Sequence, residues 1–323
     1  LKKLVLFITL FSIATKSYCW GFYAHKKINY LAVFLLPPQM LVLYKPNIDF
    51  LSEHAVDPDK RRYAVVAEGP RHFIDIDHYG KYPYAELPHK WNDALEKFGE
   101  DSLLAYGIVP WHIQVMQKRL TRAFKEKNFP SIMKNSADIG HYIADAHVPL
   151  HASTNHNGQL TGQLGIHGLW ESRIPELLAE KQFDFFIGKA AYIQNPELFV
   201  WNIVLESGRE ADSVLAFEKQ LSIMFPGDKK YAFENRNNLI TRQYSSEYTI
   251  AYNNKLHGMV ERKMRKAIFA IASLWFTAWE DAGQPDLSEI ANQSFSENEL
   301  KAFEKLNEEW KRGIIKGRQE ESL

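Results

Sequence analysis

An all-α fold, a bundle of many helices, is what this chain predicts, and three observations carry the expectation. Two long segments place apolar residues at helical spacing. Strand-like alternation is confined to short pieces such as HFIDI (72–76), and no internal repeat is visible. Segments that bury one stripe each satisfy it by packing on one another, which makes a helical bundle the expected architecture.

In chain order, the first element is residues 1–19. Lys2 and Lys3 precede a twelve-residue apolar run (4–15), and a polar stretch ends in Ser17, Tyr18 and Cys19. That layout predicts a secretory signal peptide, since a membrane-spanning helix needs about 20 apolar residues. The mature chain is then expected to be exported, periplasmic or secreted, and to begin at Trp20.

Residues 111–127 put Trp111, Val115, Met116, Leu120 and Phe124 on one face, interleaved with basic residues. Residues 255–279 repeat the pattern through Leu256, Met259, Val260, Met264, Ile268, Ile271 and Trp275. Their uncharged part, 267–279, is too short to span a bilayer and reads as a buried core helix. Pro and Gly clusters at 37–38, 69–70, 107–110 and 226–227 mark loops. After a linker at 286, a capping box of Ser296 and Glu299 opens an amphipathic helix whose stripe is Leu300, Phe303, Leu306, Trp310 and Ile314. The expected organisation is a main domain over 20–285 and a C-terminal linker and helix over 286–323, the helix docking on its own domain.

Composition narrows the chemistry. The chain has 323 residues, 46% hydrophobic and 24% charged, which is the balance of a globular protein. Its single cysteine, Cys19, lies in the predicted signal peptide, so disulfides and thiol catalysis are excluded from the mature chain and any metal falls to His, Asp and Glu. Loss of Lys2, Lys3 and Lys16 from 39 basic residues leaves 36 against 39 acidic ones, a near-neutral balance that gives no signal for a polyanion. No Walker-type or dinucleotide-binding glycine motif is present.

The segment HYIADAHVPLH (141–151) is the strongest chemical signal. His141 and Asp145 are four apart and project from one helical face, as two ligands of one metal would. Pro149 stops that helix and redirects the chain before His151, whereas His147 falls nearly opposite His141 and is left out. HGLWE repeats the four-residue spacing in His167 and Glu171. Alone, either pair reads as a surface helix pair. Together with His151, in a chain without usable cysteine, they point to a metal centre. EHAVDPDKRR offers His54, Asp57 and Asp59, and PRHFIDIDHYG offers His72, Asp75, Asp77 and His78; spacing does not choose among these. A free amine on Trp20, with its own carbonyl, could chelate, with His25 five residues on.

In these residues the chain resembles the secreted trinuclear-zinc phosphodiesterases, which comprise zinc-dependent phospholipases C and single-strand-specific nucleases of S-one/P-one type. The likeness rests on Trp20, on His141 with Asp145 and His151 in H-x3-D-x5-H, and on His167 with Glu171, and it runs from residue 20 to at least 171. It implies three zinc ions. The first would be held by Asp57, His72, His141 and Asp145, the second by His151, His167 and Glu171, and the third by Trp20, His25 and the bridging Asp145.

The spacing of Trp20 to His25, and of Asp57 to His72, is that of the nuclease branch. There the resemblance implies that Phe73 stacks on a base, Asp75 bonds the base edge and Lys60 steadies phosphate. Glu171 is a phospholipase-like departure, where nucleases typically have Asp. The implied activity is phosphodiester hydrolysis by a hydroxide bridged between zincs, with Asp57 and Asp145 at the reacting centre. The implied substrate is single-stranded nucleic acid or nucleotides, with phospholipid as the alternative and a non-catalytic exported zinc-binding helical protein as the third reading. No obligate protein partner is implied.

Overall fold

The computed structural model describes residues 21–236 and 239–316; the predicted signal peptide and Trp20 lie outside them. The described chain is mostly helical. Helices α1 (Phe22–Val33), α2 (Pro38–Tyr44), α3 (Ile48–Glu53) and α4 (Asp57–Arg61) lead through short turns to α5 (Trp91–Phe98), α6 (Glu100–Tyr106), α7 (Val109–Lys125) and α8 (Phe129–Ala146). A single turn, α9 (Ile166–Gly168), runs through a π-helical turn at Leu169–Arg173 into α10 (Ile174–Gln182). Then come α11 (Pro196–Met224), α12 (Ser246–Lys255), α13 (Met259–Asp281) and α14 (Glu297–Arg312).

The core is built where α1, α7, α8 and α13 pack on one another. On α13, Ala267, Ile268, Ala270, Ile271, Ala272, Leu274, Trp275 and Ala278 are all buried. A helix apolar on so many sides has to be surrounded by protein. Polar ties fix the neighbours: Tyr44 and Ser136 share a hydroxyl bond of 2.7 Å, Trp275 Nε1 donates to Ser136 O (3.1 Å), and Gln117 Nε2 donates to Leu274 O (2.9 Å). Asn128 caps α8 by accepting from Ser131 N–H, with Pro130 in the first turn where its missing donor costs nothing.

Gly140 brings α1 against α8. A Cβ there would overlap the Asn29 carboxamide, which donates to Leu51 O and Ala137 O at 3.2 Å each. That close approach sets His25 of α1 beside His141 of α8, so a packing choice places two site residues.

The structure refines these expectations. The helical expectation holds in its coarser form, a mostly helical fold to which one hairpin is added: Tyr231–Arg236 (β1) and Leu239–Tyr244 (β2) pair antiparallel, with Phe233 opposite Arg242. Residues 72–76 form no strand. The long helix expected over 255–279 begins only at Met259, because His257 (φ 51°) and Gly258 (φ 74°) adopt left-handed backbone after α12.

The capping box of α14 is present. The helix packs on α4, with Phe303 against Phe50 and His54 (centroids 5.6 and 4.4 Å) and Trp310 against Phe22 (5.3 Å).

Candidate metal centre

Six pieces of chain deliver the site: α1 brings His25, α4 Asp59, the segment after a short turn His72, α8 His141 and Asp145, and the turns near 150 and 170 the rest. The segments carrying His72 and His151 are strapped together, since His151 Nδ1 donates to His72 O (2.7 Å) and Ile74 N–H donates to His151 O (2.9 Å). This pair of bonds is what the HFIDI alternation serves in place of a strand. Asp77, another acidic residue of that stretch, accepts from Ser153 Oγ and from Thr154, so it shapes the loop after His151 rather than facing the cluster.

Three buried groups result, each with donor atoms within 4.8 Å of one another: His25, His141 and Asp145; Asp59, His72 and His141; and His151, His167 and Glu171. They could hold metal ions. Asp145 joins them, because its Oδ2 lies 3.0 Å from His72 Nδ1 and 3.2 Å from His141 Nε2, while its Oδ1 lies 3.4 Å from His25 Nε2. His25 and His141 stack at 3.9 Å.

The proton positions test whether a cation fits. A backbone carbonyl can only accept, so each imidazole nitrogen bonded to one must carry the proton. His141 Nδ1 donates to Ala55 O (2.8 Å), His151 Nδ1 to His72 O, and His167 Nδ1 to His156 O (3.0 Å). In the neutral rings the opposite nitrogens then carry lone pairs. His151 Nε2 and His167 Nε2 face each other at 3.1 Å, with Glu171 Oε2 at 3.4 and 2.9 Å from them. Three electron-rich atoms so close repel unless a proton or a metal cation sits among them. Among the described residues, both oxygens of Asp59 and both of Glu171 are buried without a hydrogen-bond partner. Two histidines and a carboxylate with no thiol suit zinc, with room for a further ligand.

The electrostatics agree with a mutually dependent cluster. Burial lowers His25, helped by His141 and opposed by Asp145, and burial takes His72 down to about 4. His151 also loses solvent, but Asp145 and Glu171 outweigh this and raise it to about 9. Burial lifts Asp59 to about 8, with Asp145 and Glu171 adding to the effect against His25 and Arg62. Asp145 stays well below the usual carboxylate range in spite of burial, held there by His141 and His151.

Among the residues expected at the site, His25, His72, His141, Asp145, His151, His167 and Glu171 come together. Asp57 does not. Its carboxylate is committed to His54 Nδ1 (2.6 Å) and Lys60 Nζ (2.9 Å), and Asp59 stands in the cluster instead. The reason is helical phase: residues two apart on α4 point about 200° apart, so only one of the two aspartates can face inward.

Lys60, paired with Asp57, is likewise diverted, and Arg62 lines the cleft in its place. The spacing was legible, since Arg62 follows Asp59 by the same three residues that separate Lys60 from Asp57. Phe73 lines the cleft together with His72, Leu150, His151, His156 and His167. Asp75 is buried, its N–H donating to Tyr106 O (2.7 Å). His147 is buried with Nδ1 donating to Ile143 O (2.7 Å), in none of the three groups. Trp20 lies outside the described residues; the adjacent Gly21 N–H donates to Ser172 Oγ (2.9 Å), next to Glu171. His156, overlooked in the sequence, sits beside His167 in the cleft wall.

No family model matches this chain, and no curated protein matches it.

Proposed function

We propose that this chain is an exported, zinc-dependent phosphodiesterase that hydrolyses single-stranded nucleic acid or nucleotides. The observation that supports it most is Asp145, whose two oxygens address two different sets of histidines beneath a cleft walled by an arginine and an aromatic ring. We assign one zinc to Asp59, His72, His141 and Asp145 and a second to His151, His167 and Glu171. A third is assigned to His25, Asp145 and the amine and carbonyl of Trp20. Bound there, zinc would supply Lewis acidity, lowering the pKa of water and polarising the phosphoryl group.

The protein's own side chains do the rest. Asp145 fixes the spacing between neighbouring ligand sets. Arg62 offers a planar fork that meets two phosphate oxygens at once, which a lysine does not. Phe73 offers a stacking face to a base of any identity, and Asp75 a polar contact to its edge. Backbone carbonyls hold His141, His151 and His167 in one tautomer, so their coordinating nitrogens need no reorganisation.

One observation favours phospholipid instead. In the loop that carries His156, Leu160 is 71% exposed and Leu164 is 39% exposed, an apolar rim of the kind a lipid surface meets.

The test offers purified protein single-stranded DNA, single-stranded RNA and phosphatidylcholine vesicles, each with zinc and with chelator. Cleavage of nucleic acid that chelator abolishes and zinc restores is the expected result. Cleavage of phosphatidylcholine alone would transfer the protein to the lipid reading, and activity on none of the three, or activity indifferent to chelator, would sink both.

A further inference from the structure

We infer that the C-terminal arm, residues 295–316, is a positioning element that sets which face of α4 meets the metal cluster. The inference rests on the zinc reading above. Helix α4 has only five residues, too few to hold its own orientation, and it carries carboxylates on opposite faces. Turning it by half would exchange Asp59 for Asp57. Contacts from outside therefore decide which aspartate faces the histidines.

The arm supplies them on the side away from the cluster. Phe303 and Phe295 pack with Phe50 (5.6 and 4.5 Å), and Phe303 lies 4.4 Å from the His54 ring. His54 bonds Asp57, and Asp57 bonds Lys60. With α14 packed over α4, these charged side chains are nearly closed off from water, Asp57 at 6% and Lys60 at 11% side-chain exposure. A low-dielectric setting strengthens the pair and penalises any rotation that would break it. Past α14, Lys316 N–H donates to Arg62 O (2.8 Å) and Lys316 Nζ donates to Ala64 O (3.2 Å), fixing the backbone that aims Arg62. On the cluster side, Asp59 Oδ1 lies 3.7 Å from both His72 Nδ1 and His141 Nε2.

The experiment titrates the full chain with zinc in competition with a chromophoric chelator, resolving the stepwise affinities. Asp59→Asn first identifies the step that belongs to the Asp59, His72 and His141 group. Phe303→Ala should then weaken that step at least tenfold and leave the others unchanged, with helical circular dichroism intact and recovery in Phe303→Leu. A chain ending at residue 293 should show the same selective loss. Should that truncated chain fail to fold, the full-length Phe303→Ala titration carries the test. Unchanged affinities in folded Phe303→Ala, or an equal loss at all steps, would overturn the positioning role. Wild-type protein that takes up no zinc would overturn the metal reading itself, and this is seen before any variant is measured.

Discussion

Substituting Asp59 by Asn should raise stability without zinc and shrink the stabilisation that zinc brings. In the zinc-free protein Asp59 is a buried acid raised to about 8, far above its ordinary value of 3.8. An acid whose folded pKa lies above its unfolded one favours folding at low pH, where it is protonated in both states, and loses that contribution as pH rises through the folded pKa. At pH 7 the penalty is about 4 kcal/mol, from roughly three pH units at about 1.4 kcal/mol each. Asn is isosteric and uncharged, so it removes this penalty. With an unfolding entropy of about 2.1 cal/mol/K per residue, the change corresponds to about 6 °C in Tm for a chain of this length.

Zinc works against that gain without reversing it. Each site filled at a free zinc concentration of about a hundred times its Kd adds about 2.7 kcal/mol, or about 4 °C here, and three sites add about 12 °C. Thermal melts by circular dichroism at pH 7 should therefore show Asp59→Asn about 6 °C above wild type in chelator, with a zinc-induced rise smaller by about 4 °C. In chelator, the wild type should also lose stability between pH 4 and pH 8 more steeply than the variant. Asp57→Asn should melt lower in both conditions, because it strips a buried Lys60 of its carboxylate. The reasoning fails if Asp59→Asn melts below wild type in chelator, or if its zinc-induced rise is undiminished.

Three further outcomes are expected. Arg62→Ala should raise KM for a nucleotide diester by about 10- to 150-fold with zinc content unchanged, the loss of one charge-assisted bond worth about 1.5–3 kcal/mol, whereas Lys60→Ala should lower Tm first; steady-state kinetics beside metal analysis separates them. Gly140→Ala should cost about 1–3 kcal/mol and weaken zinc at the His25 group, read by melts and by zinc titration, because α1 has to move away from α8. His147→Gln should keep every zinc equivalent while losing some stability, and loss of an equivalent would place His147 in the centre after all.

Much of the centre was legible because i to i+4 pairs state their own geometry. His141 with Asp145, and His167 with Glu171, announce a shared face before any fold is known, and Pro149 announces the change of direction that serves His151. Asp57 and Asp59 were not separable, since both sit in a helix too short to carry an amphipathic pattern that would say which face is buried. The decisive contacts come from Phe303, some 240 residues away, a separation that local patterning does not encode. The hairpin was missed for a different reason. Tyr231, Phe233, Ile240 and Tyr244 are strand-prone residues on either side of Asn237 and Asn238, but the runs are interrupted by Glu234, Arg236 and Arg242, and the two strands pair only with each other.

The π-helical turn at Leu169–Arg173 makes this stretch sensitive to length as well as to identity. A wide turn holds one more residue than an α-helix would over the same rise, and Glu171 occupies it. Deleting one residue between His167 and Glu171 would let the turn close into regular α geometry with the flanking helix kept in phase, and would move Glu171 by about 100° relative to His167. Ile174, Leu178 and Ala179 would keep their buried places, while Glu171 would swing away from His151. Deletion scanning of this chain should thus find residues 169 and 170, between the two ligands, intolerant even where each residue taken singly accepts substitution. Counting residues between ligands is, at this one turn, as strict a requirement as the ligands themselves.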